Sequence, residues 1–403
     1  MSFSAATYES TSSDSRAAGL AAGSALRRQL GARAPRVVVV YASVQHDQEV
    51  LLRAMREGLG AEVPVIGCSV QGIMVDGRTN EGGFLLGAMA LAGEGLAVGV
   101  ARVDDVDHAT ASKGAWLAEA LQRQLGQAPQ VTLLWYDPLC GADVEELLAG
   151  ARGVMDSPVI GGGASQPWGP MIKTYQYWGS EVISRGAVAL GLAGGFGSEI
   201  GVCHGTTPTG VEMTLTRSEG NRILEIDGRP ALDVWREITG AQEHEINDQN
   251  ATSSWAVGVQ RGDEQHPVYV IRGSFGFDVQ AGAVIVQAAI PEGTRIMFHH
   301  RTVAVVTQGT ELMARQLQER LGTRTPWAVL GFECGARTGP FLGERAAMEE
   351  NQRLRAVVAP DAPCLGMMAW GEVAPVGGVP GFHNYTYPLL VLSSEAQATA
   401  SLL

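Results

Sequence analysis

Apolar residues along this chain arrive in short runs separated by glycine-rich or polar breaks, and the order of the runs repeats. "RVVVVYAS" at 36–43 is a continuous β-branched run, the mark of a strand buried on both faces. Asp47 stands where a helix cap belongs. Val50, Leu51, Ala54 and Met55 then fall on one helical stripe, with Gly58 near its end. "PVIG" at 64–67 brings the chain back as a strand, and two more strands are predicted near 84–91 and 96–103. Leu117, Leu121 and Leu125 predict a helix over 112–125, with Gly126 as its stop.

The same order then recurs. "VTLLWYD" at 131–137 is a buried strand, and Asp143 caps a helix whose first turn carries Glu145 and Glu146, where the helix dipole favours them. "PVIG" at 158–161 returns as a strand and opens into "GGGAS"; strands at 173–178, 187–193 and 199–204 follow. A looser third copy runs through 328–332, a helix over 344–354, "PCLGMMAWGE" at 363–372 and a strand at 385–392. Repetition of this kind predicts an α/β protein of duplicated strand-helix-strand units, forming stacked mixed sheets with outer helices, in two domains. Residues 1–16, rich in Ser, Thr and Ala without an apolar period, read as a loose tail. The polar stretch 240–254 is the clearest break in composition, and Pro230 offers an earlier boundary. The loops after the repeated strands are at least architectural, because glycine lets a chain turn and lets helix and sheet approach closely.

Composition narrows the class without changing that picture. Hydrophobic residues make up 45% and charged residues 18% of 403, so the chain is globular. The 52 glycines suit tight turns and close backbone contacts more than long helices. A net charge of −13 argues against nucleic acid or an anionic membrane surface as partner. No apolar run reaches membrane-spanning length, and no secretory leader precedes the first strand. Five cysteines without paired spacing predict free thiols and a cytoplasmic setting.

The common enzymatic signatures, GxxxxGK[ST], GxSxG, HExxH and CxxC, are absent, and no catalytic residue is assigned. The glycine cluster "GLAGGFG" at 191–197 lacks a following helix, so it does not read as a dinucleotide site. The informative stretches are C-terminal. "FECGARTGPFLGE" at 332–344 places Cys334 and Arg337 after a buried strand, where a guanidinium could clamp a carboxylate. "WGEVAPVGG" at 370–378 supplies Glu372, and "GFHNYTY" at 381–387 supplies His383 and Asn384. Together they read as a polar pocket at strand ends, with Cys334 at its wall. The plainer readings stay open: Cys334 as a core residue, Arg337 paired with Glu372, His383 and Asn384 as strand-end caps. An enzyme using Cys334 with His383 as thiol and base is a further alternative.

These motifs resemble the FIST family, the paired FIST N-terminal and C-terminal domains of bacterial sensory proteins. "VPVIGCSVQG" is similar to the family's Gly-Cys-Ser turn and "SPVIGGGAS" to its second-copy counterpart. "FECGARTGPFLGE", "GEVAPVGG" and "FHNYTYPLLVL" are similar to the C-terminal signatures; Gly72-Ile73-Met74 stands where the family commonly has Gly-Glu. The resemblance implies a tail and lead-in over 1–35, an N-terminal domain over 36–227, a C-terminal domain over 228–392 and a tail over 393–403. It implies a small-ligand sensor of intracellular signalling, with an amino acid as the proposed kind of ligand, and brings Cys68 and Ser69 into the candidate ligand-binding set. No output segment is recognised after 392, so signalling is expected to pass through a separate chain such as a histidine kinase. A haem-binding nitric oxide sensor is the alternative the resemblance carries, with His204, His299, His300, His383 or a cysteine as axial ligand.

Overall fold

The computed structural model of the chain describes residues 3–241, 253–261 and 268–395. The predicted class, mixed α/β with stacked sheets and outer helices, is the one the chain adopts. Three sheets of one design form the body. In the first, Pro35–Ala42 runs parallel to Val65–Ser69, and Leu86–Gly93 and Phe3–Ser10 continue antiparallel on its other side. In the second, Val131–Tyr136 and Val159–Gly163 are the parallel pair, flanked by Ala187–Ala193 and Ala97–Val103. In the third, Pro326–Cys334 and Cys364–Ala369 pair likewise, flanked by Tyr387–Ser394 and Phe196–Cys203. The strands expected at 36–43 and 131–137 therefore hold equivalent places, and the C-terminal copy is a full third unit.

Each sheet is finished by a hairpin from another unit. Gly72–Val75 with Arg78–Glu81 joins the third sheet, Gln176–Trp178 with Glu181–Ile183 the first, and Glu372–Val376 with Val379–His383 the second. This cyclic exchange explains the recurring Pro-x-x-Gly strand, since the chain leaves its own sheet for a neighbour's just beyond it. Gly67 pairs with Val40 and Gly161 with Leu134. A Cβ there would sit 2.9 Å from the carbonyl carbon of Val40 or 2.8 Å from that of Leu134, and closer still to the oxygen, so no side chain fits. One residue further along the same strands, Tyr41, Trp135 and Phe332 meet at the centre, with ring centroids 6.3 Å apart from Tyr41 to Trp135 and from Trp135 to Phe332. The apolar core there is continuous across all three sheets.

Paired helices cover the outer faces: Ser15–Leu30 with Gln48–Leu59, Thr110–Leu125 with Val144–Arg152, and Val303–Leu321 with Glu344–Val358. The predicted caps are in place: Asp47 accepts from the Val50 amide at 3.1 Å, and Asp143 from the Glu145 amide at 2.9 Å. The expected loose tail over 1–16, and the flexible lead-in over 1–35, must be corrected. Phe3–Ser10 is an edge strand and Ser15–Leu30 a helix. That helix is short of large apolar residues because it packs by close approach: a Cβ at Gly23 would lie 2.7 Å from the Leu59 amide nitrogen. Its hydrophobic stripe is therefore weak although its burial is extensive.

Between the second and third sheets the chain builds a closed antiparallel barrel. Thr207–Glu219, Arg295–His300, Trp255–Arg261, Val268–Asp278, Ala283–Val286 and Arg222–Ile226 pair in that order, and the first closes on the last. Helix Ala231–Thr239 plugs it, with Trp235 packed against Phe277 and Phe298. Most of the polar stretch 240–254 lies outside the described residues.

Candidate functional site

Where the barrel leans on the body, a cavity of about 790 Å³ opens between them. The barrel contributes Ser274, Phe275, Phe277 and Gln287 to its wall; the body contributes Cys334, Ala336, Trp370 and Tyr385. The unit architecture delivers the body residues. Cys334 ends the central strand Pro326–Cys334, and Gly371, at φ 89°, turns the chain from Cys364–Ala369 into the exchanged hairpin. Tyr385 follows that hairpin in a left-handed conformation, φ 59°. Two residues after the other two hairpins stand Gly83 at 72° and Arg185 at 58°, so the turn itself demands this backbone. A bulky aromatic held there is conformationally costly, which marks its ring as the feature retained.

Three polar groups at this wall or directly behind it have unused hydrogen-bonding capacity. The Ser274 hydroxyl lines the cavity, is 6% exposed as a residue, and has no partner. Glu372 is fully buried. Its Oε2 accepts from the Thr386 hydroxyl at 2.9 Å and amide at 3.2 Å, the Cys334 thiol and Gly371 amide stand beside the carboxyl, and its Oε1 makes no hydrogen bond of good geometry. Burial holds this carboxyl up at about 8, so it is mostly protonated at neutral pH. Arg301, 1% exposed, lies between two rings, its guanidinium carbon 3.8 Å from the Phe341 centroid and 4.0 Å from that of Tyr385. Nη2 donates to the Ala336 carbonyl at 3.3 Å, whereas Nε and Nη1 have no partner. Burial pushes it down to about 10, and no described carboxylate forms an ion pair with it.

The structure distributes the sequence-derived candidates differently from the single pocket expected of them. Cys334 is at the cavity wall and Glu372 stands behind it. Asn384 is one step removed: its Nδ2 donates to Gln287 at 2.7 Å, and its Oδ1 accepts from the Gly273 amide at 3.0 Å, stitching body to barrel. His383 faces away, with Nδ1 3.2 Å from His204 Nε2 and Nε2 3.2 Å from the Ala374 carbonyl oxygen. Arg337 is the main correction. It is fully buried under the helices, bonded to Glu333, bidentate to Glu350 at 2.7 and 2.9 Å, and bonded to Thr310 at 2.5 Å. Burial opposes its charge, but Glu350 and Glu333 more than offset this, so it is neither paired with Glu372 nor part of the cavity wall. Cys68 and Ser69 are also elsewhere. Cys68 Sγ lies 3.7 Å from Met367 Sδ in the central core, and Ser69 Oγ donates to the Ser165 carbonyl at 2.9 Å. The Gly-Cys-Ser turn is thus a stitch between units.

The histidines named for haem do not fit that group. None lines the cavity, and His204 and His383 are bonded to one another. His299 bonds Thr206 at 3.0 Å, and His300 packs on Trp255 with centroids 4.6 Å apart. Burial lowers His204 and His299 to about 4. Cys334 does line the cavity; burial pushes its thiol well up, and His383 is bonded to His204 and faces the Ala374 carbonyl. Among the described residues no cluster of three His, Cys, Asp or Glu side chains could hold a metal, and no helix is long and apolar enough to cross a membrane.

Sequence reasoning missed Arg301, Ser274, Gln287 and Tyr385. Arg301 follows an unremarkable strand, and the left-handed backbone of Tyr385 leaves no trace in residue type. Only the third-unit position of "HNYTY" after the hairpin, matching Gly83, could have drawn attention to it.

Comparison with known proteins adds the following. Residues 36–229 match the FIST N domain and residues 231–375 the FIST C domain. An uncharacterized protein of Mycobacterium tuberculosis is 25% identical over 390 residues, 94% of this chain and 96% of its own length. An uncharacterized protein of Mycobacterium bovis is 26% identical over 223 residues, 54% of this chain; the match spans about half of that relative, 56%. Among solved structures, a cyanuric acid hydrolase from A. caulinodans aligns over 98% of this chain and 100% of its own, with TM-score 0.39 and 10% identity, a likeness too slight to carry an argument.

Proposed function

Since this chain belongs to the FIST family, whose domains are sensory domains of signal transduction, we propose that it senses a small polar ligand of amino-acid kind in the cavity between barrel and body. The observation that carries this reading is the set of unpartnered buried polar atoms at the cavity wall or just behind it: Ser274 Oγ at the wall, Arg301 Nε and Nη1 behind Tyr385, and Glu372 Oε1 beside Cys334. Buried donors and acceptors are nearly always satisfied, so a cluster of orphans beside a sizeable cavity marks where a ligand or ordered water completes the bonding. Arg301 takes the role first expected of Arg337, because a buried guanidinium without a counter-charge attracts a carboxylate and Arg337 already has two. Ser274 and Gln287 supply neutral hydrogen bonds at the barrel side.

Binding, without turnover, would tie the barrel to the body, and a separate protein such as a histidine kinase would read the change. A cytoplasmic setting and the absence of a required cofactor belong to the same proposal. The test is calorimetry with a panel of amino acids and related acids, on the parent chain and on Arg301→Ala. A binding acid should lose roughly ten- to a hundredfold in affinity in the variant, the worth of a charge-assisted hydrogen bond. Unchanged affinity in a folded Arg301→Ala protein would remove Arg301, and with it this reading of the site.

A further inference from the structure

The reading of the cavity as the ligand site leaves the size and character of the ligand open, and both are written in its walls. At about 30 Å³ of liquid volume per water, 790 Å³ accommodates roughly 25 non-hydrogen atoms. A free amino acid would fill about half of that or less. The walls are strongly aromatic: Phe275 and Phe277 from the barrel face Trp370 and Tyr385 from the body. The mouth is apolar as well as open. Trp168 is 50% exposed, Met171 53%, Leu139 37% and Phe275 37%, and all four line the cavity. Large side chains left half in water along one rim are what a binding lip shows, not a scatter of single exposed residues.

Charge is scarce by contrast. The charged side chain at the described wall is Asp143, whose Oδ1 is taken up in capping helix Val144–Arg152 at 2.9 Å from the Glu145 amide. Behind the wall stands Arg301, with no described carboxylate paired to it. Among the described residues at or behind the wall, one cation without a paired carboxylate suits a monoanion better than a phosphate or dicarboxylate, whose second charge would meet no described cation.

We infer that the ligand is an amphipathic monocarboxylate larger than a free amino acid, its acid group at Ser274 and the Ala336 and Tyr385 wall behind which Arg301 stands, and an aromatic or acyl body along the Trp168 and Phe275 lip. N-acylated aromatic amino acids have this form: one carboxylate, one amide to meet a side chain such as Gln287, and a body of the right bulk.

The experiment is calorimetry on the full chain with four probes: N-benzoylphenylalanine, its methyl ester, phenylalanine and glycine. N-benzoylphenylalanine should bind about tenfold or more tighter than phenylalanine, as the added buried ring predicts, and glycine should bind weakest. The ester, alike in bulk but uncharged, should lose about tenfold or more relative to the acid. Trp168→Ala, an exposed position whose fold can be verified by circular dichroism, should weaken N-benzoylphenylalanine several-fold more than glycine. Glycine or phenylalanine binding as tightly as the benzoylated acid would overturn this inference while leaving the cavity a sensor of small amino acids. Equal binding of acid and ester would overturn the monocarboxylate assignment. Failure of all four probes to bind would remove the inference together with the reading of the cavity on which it rests.

Discussion

Replacing Glu372 by glutamine isolates the most perturbed carboxyl at the site. Glu372 is fully buried, bonded by Thr386, with the Cys334 thiol beside it, and faces Tyr136, Tyr385 and Arg301 without an ion pair to that arginine. Burial raises it from 4.5 to about 8. A carboxyl whose folded value lies above its unfolded value binds protons more tightly when folded. Its stabilising contribution is complete below about 4.5 and is lost as pH rises through about 8. At about 1.4 kcal/mol per unit, the whole contribution is on the order of 4–5 kcal/mol, of which about 2–3 kcal/mol disappears between roughly pH 6 and pH 9. Glutamine keeps the shape and stays neutral throughout, so Glu372→Gln should hold its stability over that range where the parent declines. Glu333, raised to about 7 chiefly by burial, titrates in the same window, but it is present in both proteins and cancels in the difference. The assay is the urea midpoint at several pH values from 6 to 9 for parent and variant. Two curves that decline in parallel would refute the argument and mean that the folded chain accommodates an ionised Glu372 at no cost.

The remaining predictions concern the framework. Arg337→Met should cost about 3–5 kcal/mol by stranding the Glu333 and Glu350 carboxylates, with ligand affinity of the folded fraction unchanged. A stable variant with weakened binding would return Arg337 to the ligand site. Gly114→Val should destabilise by about 1–3 kcal/mol or more, because a Cβ there would lie 2.9 Å from the carbonyl carbon of Leu147 on the paired helix; an unchanged urea midpoint would contradict that packing. All five cysteines are free, so alkylation of denatured, unreduced protein should count five thiols. In native protein the half-buried Cys140 and Cys364 should label before Cys68, Cys203 and Cys334, and first labelling at Cys334 would show that the cavity wall opens.

Much of the local structure was legible from residue order alone. The β-branched runs at 36–43 and 131–137 make strands because both faces are buried. Asp47 and Asp143 cap helices because their carboxylates meet free amides in the first turn. The repeat of strand, helix and Pro-x-x-Gly strand announced equivalent units, and Gly67 and Gly161 pair opposite Val40 and Leu134 as close approach requires. Pairing partners distant in sequence were not legible. Nothing near residues 72–81 says that their hairpin completes a sheet made of residues beyond 190, because backbone hydrogen bonds carry no address. The choice between two arginines lay equally out of reach. Arg337 and Arg301 are the same chemistry on paper. One is neutralised because helix Glu344–Val358 brings Glu350 over it, whereas the other meets Phe341, Tyr385 and a cavity. Residue types state which charges the chain carries; the packing of distant elements decides which of them remain uncompensated, and therefore where a ligand is wanted.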